Sequence, residues 1–230
     1  MLIVLTGIDG SGKTTAARSL VAAARTAGKD AILLSNYAGR RRMSLLGAKF
    51  GVHLPPRLAD AAETAIRIAN VLVSHARAYR HPGLVIMDRH LYCQLALRQA
   101  RRLPRGRILP FILAKLPEPD LVIHLVVTPE QAHERVLARG TDAETLEELD
   151  SFRAAYEAIP EYARFTELAA DGTPEEVLAK LTVAIADAGR TRAADFAAVV
   201  SSSDENGTPR QDVIHGRGSG HTQPRPDEAA

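Results

Sequence analysis

The chain has 230 residues and a formal net charge of +2, and no run of Lys or Arg exceeds the three residues 40–42. It is therefore long enough for one α/β domain with a buried core, and its charge gives no sign of a nucleic-acid groove. The single cysteine, Cys93, excludes an internal disulfide and a cysteine-based zinc site. No apolar run is long enough to cross a bilayer and no signal peptide is visible, so we expect a cytoplasmic protein with no membrane contact.

Short apolar segments alternate with helical segments along most of the chain. Continuous apolar runs predict buried strands at residues 2–6, 31–35, 84–88 and 121–127, and a weaker fifth lies near residues 165–169. Strands of this kind, separated by helices, indicate a parallel sheet that is covered on both faces.

Helix signals fill the intervals between these strands. At Thr128-Pro129 a capping threonine precedes a proline at the first helical position, and this helix is expected to stop at Gly140. Thr173-Pro174 repeats this capping pattern and begins a helix that we expect to end near Ala188. Other helical segments are predicted over residues 14–25, 58–79 and 144–156.

The composition changes after about Gly189. Residues 191–199 extend the last helical pattern, whereas residues 200–230 are rich in Gly, Pro, Ser and charge and have almost no apolar periodicity. The sequence therefore predicts one folded domain over residues 1–190, followed over residues 191–230 by a helix extension and a disordered tail.

A phosphate-binding motif lies between the first strand and the first helix. Residues 7–14 read Gly-Ile-Asp-Gly-Ser-Gly-Lys-Thr, the G-x-x-x-x-G-K-[ST] pattern. The glycines let several backbone N–H groups point at one anion, and the helix N-terminus adds its positive end. Lys13 is expected to reach the β- and γ-phosphates, and Thr14 to hold Mg²⁺. The predicted nucleotide-binding set is Gly7, Asp9, Gly10, Ser11, Gly12, Lys13, Thr14 and Thr15.

A second candidate site follows the third predicted strand, at Asp88-Arg89-His90. Ligands of open parallel sheets gather at the carboxyl ends of the strands. Asp88 at that place is a candidate ligand of Mg²⁺, and the guanidinium of Arg89 is a candidate phosphate ligand. The alternative is a structural one, in which Asp88 caps the next helix and Arg89 forms a surface ion pair.

These motifs together resemble the thymidylate kinase family. The resemblance rests on residues 7–15 and 88–90, on Pro119 to Leu125 with the following Thr128-Pro129-Glu130, and on Arg139 to Glu144, and it spans about residues 1–188. It implies a three-layer fold of the P-loop NTPase type, with a five-stranded parallel sheet and helices on both faces. It also implies a kinase that uses ATP and Mg²⁺ to phosphorylate a nucleoside monophosphate, with dTMP the first candidate.

The resemblance also implies roles for individual residues. Asp9 would meet the sugar or phosphate of the acceptor, and Arg89 would bind phosphate where donor and acceptor meet. Lys13, Asp9, Arg89 and Arg139 form the expected catalytic set, Thr14 and Asp88 the expected metal ligands, and residues 139–153 the expected lid. Arg135 and Arg153 would help to close that lid, and a homodimer is expected from the family.

The acceptor side departs from the family pattern. Thr6 stands where the family usually has Glu. Residues 35–42 replace a Phe-Pro segment and an Arg that binds the acceptor phosphate, and Arg40 or Arg41 could bind that phosphate from a shifted position. The positions of the thymine-contacting aromatic residue and Arg are occupied by Ile68 and Leu72. Two alternatives therefore stay open: a kinase of another nucleoside or small molecule, and a catalytically weak nucleotide-binding regulator, which the acidic lid also suggests.

Overall fold

The computed structural model describes residues 1–37, 55–140 and 144–205, and within it a five-stranded parallel sheet forms the centre of the fold. The strands lie in the order β2-β3-β1-β4-β5, and all four neighbouring pairs are parallel. Their bounds are β1 Leu2–Thr6, β2 Ala31–Ser35, β3 Leu84–Asp88, β4 Leu121–Val126 and β5 Thr166–Ala169.

Helices connect the strands and cover the sheet. Seven α-helices and one 3₁₀ helix are assigned in the described part of the chain. Their bounds are α1 Lys13–Thr26, α2 Pro56–Tyr79, α3 Leu91–Ala100, α4 Ile108–Lys115, α5 Pro129–Arg139, α6 Leu146–Glu157, the 3₁₀ helix Pro160–Arg164 and α7 Pro174–Glu205.

The core lies on both faces of the sheet. Alternate residues of β1 point to opposite sides, so that Ile3 and Leu5 pack with α1 and α7 while Val4 packs with Met87 of β3. All four side chains are fully buried. Burial on both faces explains why the strands read as continuous apolar runs. The predicted α/β architecture is thereby confirmed.

The strand order places two sequence motifs next to each other. β1 is the middle strand, paired with β3 on one side and β4 on the other, and Leu5 is in register with Asp88. The loop after β1 and the residues after β3 therefore begin at the same edge of the sheet. This edge holds the candidate site.

Most predicted bounds agree with the structure within two residues, but the sequence patterns predict no bounds for α3 and α4, and the C-terminal helix differs at its end. Residues 1–189 form one compact unit. The last helix, α7, passes the end predicted near Ala188, includes the predicted extension at residues 191–199 and ends at Glu205. The rest of the predicted tail and lid residues 141–143 lie outside the described residues. None of the described helices is long and apolar enough to cross a membrane.

Candidate active site

The loop between β1 and α1 has the backbone that a phosphate cradle requires. Gly7, Gly10 and Gly12 have φ values of 138°, 83° and 86°, which side chains with a Cβ rarely adopt. Gly12 is the N-cap of α1, so the first free N–H groups of the helix face the loop. Ser11 is buried, whereas Thr15 lies exposed in the first helical turn. This geometry fits an anion at the helix N-terminus.

Gly10 and Gly12 allow a matched test of the loop. A Cβ on Gly10 would lie 2.2 Å from the carbonyl oxygen of Ala132 in α5, whereas a Cβ on Gly12 would meet nothing within 4 Å. Both substitutions carry the same positive-φ strain, so Gly10→Ala should cost about 1–3 kcal/mol more unfolding free energy than Gly12→Ala. Chemical denaturation of the two variants measures the difference, and equal costs would show that α5 does not restrict the loop.

Lys13 lies folded over the phosphate loop. Its Nζ donates to the carbonyl oxygen of Ile8 at 2.5 Å and to Ser11 Oγ at 3.2 Å, and it lies 4.0 Å from Asp9 Oδ1. Burial, together with the charge of Arg89, lowers the pKa of Lys13 to about 8. A bound polyphosphate would supply the negative charge that this buried ammonium needs.

The lowered pKa of Lys13 predicts a pH dependence of stability. Between pH 8 and about 10.5 the unfolded chain keeps this proton and the folded chain has lost it, so the unfolding free energy rises with pH. Relative to Lys13→Met, the nucleotide-free protein should gain on the order of 3 kcal/mol across this window. Urea titrations of both proteins at several pH values check the gain. A constant difference between the two would contradict the buried charge.

Thr14 and Asp88 meet at the carboxyl ends of β1 and β3. The Thr14 hydroxyl donates to Asp88 Oδ2 at 2.6 Å, while Asp88 Oδ1 is buried and has no hydrogen-bond partner among the described residues. A buried carboxylate oxygen without a partner is costly unless a ligand satisfies it. Oxygen ligands of this type suit Mg²⁺, so the residues present fit the metal that the resemblance implies.

Asp9 and Arg89 form an ion pair at the mouth of the loop. Burial acts to raise the pKa of Asp9, but Arg89 and Lys13 hold it well below its usual value, so the carboxyl is ionised. The backbone of Arg89 has φ 74°, a strained value for a residue with a side chain. Strain of this kind is common where a side chain must be aimed at a ligand.

Asn36, which sequence analysis did not single out, holds this strained turn. Its Nδ2 donates to the carbonyl oxygen of Arg89 at 2.8 Å, and its backbone N–H donates to that of Asp88 at 2.9 Å. Ser74 of α2 donates to Asn36 Oδ1 at 2.7 Å. The only sequence signal for this role is a polar residue directly after a buried strand, which many structural residues share.

The predicted lid arginines form their described contacts with other residues than those of the phosphate loop and the Asp88-Arg89 motif. The described hydrogen bond of Arg139 goes to the backbone oxygen of Arg135, and Arg135 donates to the carbonyl oxygen of Ala170 at 2.9 Å, after β5. Arg153 forms exposed ion pairs with Asp150 and Glu157. The described contacts therefore unite Asp9, Lys13, Thr14, Asp88 and Arg89, whereas those of the three lid arginines go to residues of α5 and α6 and to the segment after β5. Arg40 and Arg41 lie outside the described residues.

The amino-acid sequence of the chain is similar to those of known proteins. A protein-family model for thymidylate kinase matches residues 5–181. The chain belongs to the thymidylate kinase family. A probable thymidylate kinase of Archaeoglobus fulgidus is 30% identical over 181 residues, covering 75% of this chain and 87% of that protein. The thymidylate kinase of Xanthomonas campestris pv. campestris is 31% identical over 175 residues, covering 69% and 71%. A probable thymidylate kinase of Thermococcus onnurineus is 32% identical over 155 residues, covering 63% and 75%.

The side of α2 that is buried toward the site is not the side that comparison with the family pattern predicts. Leu72 is 45% exposed and Ile68 packs only in part against the apolar core, so Leu72 does not face the site. Arg67, which was expected on another face, is buried instead: its Nε donates to Gln94 at 3.1 Å, and its NH1 donates to the carbonyl oxygen of Asn36 at 3.3 Å. A shift of one residue on a helix turns a side chain by about 100°, which is enough to exchange these positions.

Two contacts made by histidine side chains lie beside residues of the family motifs. His90 and His75 lie with their Nε2 atoms 3.0 Å apart, so one ring donates to the other. Burial lowers the pKa of His90 to about 3, which keeps it neutral. Thr6 Oγ1 lies 2.9 Å from His124 Nδ1 where the family usually carries Glu. Two hydrogen-bonded pairs of neutral side chains, His75 with His90 and Thr6 with His124, therefore lie beside the family motifs.

Proposed function

We propose that the chain is an ATP-dependent thymidylate kinase that converts ATP and dTMP into ADP and dTDP. A phosphate oxygen of dTMP would form the new bond to the γ-phosphorus, and the bond from that phosphorus to the bridging oxygen of ADP would break. The names of the relatives support dTMP as acceptor. The contact group of Lys13, Thr14, Asp88, Asp9 and Arg89 at one sheet edge is the observation that carries the proposal.

The residues of this group would act by position and charge. The backbone N–H groups of the phosphate loop and Lys13 would bind the donor phosphates, and Arg89 would bind phosphate where the two substrates meet. Mg²⁺ bound near Thr14 and Asp88 would supply further neutralisation of the phosphate charge. Because the transition state spreads negative charge over the phosphate oxygens, fixed cations lower its energy more than that of the ground state. No strong general base is required, since the acceptor is already a phosphate oxygen.

A second candidate is a kinase of a different nucleotide. The expected thymine contacts are absent at Ile68 and Leu72, and the buried face of α2 carries Arg67 and Glu63 beside Gln94 of α3. This polar cluster offers hydrogen-bond donors and acceptors to a base other than thymine.

A panel of acceptors tests both candidates. The purified protein would receive ATP and Mg²⁺ with dTMP, dUMP, dCMP, dGMP, dAMP and the corresponding nucleosides, with ADP release followed by a coupled assay. Preference for dTMP supports the first proposal, and preference for another acceptor supports the second. ATP binding without turnover on any acceptor would contradict both and favour a nucleotide-binding regulator.

Other expectations accompany this proposal. We propose that residues 1–190 carry the activity, that the protein is a homodimer and that it acts in the cytoplasm. Sedimentation of the full chain tests the dimer, and activity of a variant ending at residue 190 tests the domain bounds.

A further inference from the structure

The strained backbone at Arg89 is held from two sides. Its N–H donates to the carbonyl oxygen of Leu5 in β1 at 3.1 Å, and its own carbonyl oxygen accepts from Asn36 Nδ2 at 2.8 Å. A positive φ at a residue with a side chain persists only where the surrounding structure fixes it. β1 and the residue that follows β2 therefore together fix the point from which the Arg89 side chain starts.

Asn36 is itself fixed, because each of its polar groups forms a hydrogen bond. It is fully buried; its backbone N–H donates to the carbonyl oxygen of Asp88 at 2.9 Å, and its backbone carbonyl oxygen accepts from Arg67 at 3.3 Å. Its side-chain oxygen accepts from Ser74 Oγ at 2.7 Å. The carbonyl of Arg89 can only accept, whereas the Ser74 hydroxyl can donate, so a single orientation of the amide satisfies both partners.

The side chain at this position cannot be exchanged without loss of these bonds. Any residue except proline could donate its backbone N–H to Asp88. Only an amide of this length supplies a donor to Arg89 and an acceptor for Ser74 at the same time, since aspartate lacks the donor and leucine lacks both groups. The hold on Arg89 is therefore specific to asparagine.

The contacts of Asn36 connect Arg89 to helix α2. Arg67 and Ser74 both belong to α2, and the next residue of that helix, His75, contacts His90 directly after Arg89. Arg67 also donates to Gln94 in the polar cluster that the second candidate function assigns to the acceptor base. Asn36 therefore lies between that cluster and Arg89, and it fixes the position of one relative to the other.

We propose that Asn36 is a positioning residue for phosphoryl transfer, whose amide fixes the backbone at Arg89 and thereby aims the guanidinium at the phosphate where donor and acceptor meet. Asp9 holds the charged end of the same side chain, and Asn36 holds its backbone end. The effect on turnover rests on the proposed function, whereas the hold on Arg89 exists in the nucleotide-free protein.

The variant Asn36→Asp keeps the size of the side chain and the acceptor for Ser74 and removes the donor to Arg89. With ATP, Mg²⁺ and dTMP, we expect kcat/KM for dTMP to fall about tenfold to a hundredfold, because a small misplacement of a phosphate ligand is costly in the transition state. The KM for ATP should not change, since the phosphate loop keeps its own contacts.

Asn70→Asp is the matched control for this variant. Asn70 Nδ2 donates to the carbonyl oxygen of Tyr37 at 2.7 Å, directly after Asn36 in the chain. The control therefore makes the same chemical change beside the same segment, at a side chain whose described hydrogen bond does not go to Arg89. It should keep its kcat/KM for dTMP.

A double-mutant cycle shows whether Asn36 acts through Arg89. In an Arg89→Gly background there is no guanidinium to aim, and glycine adopts the positive φ without support. Adding Asn36→Asp to that background should therefore lower kcat/KM by less than about twofold more. Ser74→Ala removes the donor to Asn36 without adding a charge; it should lower kcat/KM about threefold to tenfold alone and have as little effect in the Arg89→Gly background.

Nitrogen-15 NMR of the nucleotide-free full chain measures the hold on Arg89 without a substrate. The Nε–H resonance of Arg89 is identified by its absence in Arg89→Gly. Its order parameter should fall in Asn36→Asp and in Ser74→Ala, because the side chain then starts from a mobile backbone, and it should be unchanged in Asn70→Asp.

An unchanged order parameter in both Asn36→Asp and Ser74→Ala would overturn the proposal. Equal factors of activity loss in the unmodified and Arg89→Gly backgrounds would also overturn it, because a role in folding alone predicts that result. If the unmodified chain phosphorylates no acceptor but the order of Arg89 still falls, the proposed function fails and the hold of Asn36 on Arg89 stands. Thermal denaturation identifies a variant that does not fold, and Ser74→Ala decides the test if Asn36→Asp is such a variant.

Discussion

Replacing Lys13 with methionine is expected to lower kcat with ATP and the preferred acceptor by about 10³-fold or more. Lys13 Nζ already lies on the phosphate loop, in contact with Ile8 and Ser11, at the place where donor phosphates are expected. Methionine keeps most of the side-chain volume and removes the charge. The change should therefore reduce the stabilisation of developing phosphate charge without opening a cavity in the fold.

The matched control for this variant is Lys29→Met, since Lys29 is an exposed lysine after α1. It carries the same change in net charge and should retain full activity. Steady-state assays of both variants, with thermal denaturation to check folding, decide the result. A Lys13→Met enzyme that keeps a tenth or more of its activity would contradict the assigned role of the phosphate loop.

Removing the Arg89 guanidinium is expected to lower kcat/KM for the acceptor by about 10³-fold or more. Glycine is the informative substitution, because the backbone at Arg89 has φ 74° and glycine adopts this value without strain. Arg89→Gly therefore removes the side chain that is expected to bind phosphate, and at the same time it removes the strain of the positive φ at this position. The loss of activity should occur without a loss of fold stability from the backbone.

Arg102 provides the control for Arg89→Gly. It is the other described residue with a side chain at positive φ, 53°, and it is exposed in the turn after α3. Arg102→Gly should keep its activity. A third variant, Asp9→Asn, separates charge from position: it removes the ion-pair partner of Arg89 and leaves the guanidinium in place. If Arg89→Gly and Arg102→Gly have equal kcat/KM, Arg89 does not bind the acceptor phosphate.

The fold was largely predictable because its signals are local. The three strands at residues 2–6, 31–35 and 84–88 have the predicted bounds, and the helix begun by Thr128-Pro129 ends before Gly140 as expected. A continuous apolar run, a capping threonine and a glycine at positive φ each act within a few residues. The end predicted near Ala188 is too early, because α7 continues through Gly189 and the segment at residues 191–199 that was expected to extend it. A single glycine weakens a helix without stopping it.

The acceptor side was less predictable because it depends on which face of α2 is buried. The sequence register placed Leu72 toward the site and Arg67 away from it, and the structure reverses the two. A helix with apolar residues on several sides does not define its own buried face. Contacts with Asn36 after β2 and Gln94 of α3 decide it, and these partners are 31 and 27 residues away in the chain.

The sequence by itself determined the family, the order of the five strands along the chain, and the phosphate loop, since each rests on residue types at short, fixed spacing. Only the tertiary structure decided the order of strands across the sheet and therefore which groups meet. It joined Thr14 to Asp88, 74 residues apart, and Asp9 to Arg89, 80 residues apart. Contacts over such distances depend on packing of the whole sheet, which local propensity and spacing do not specify.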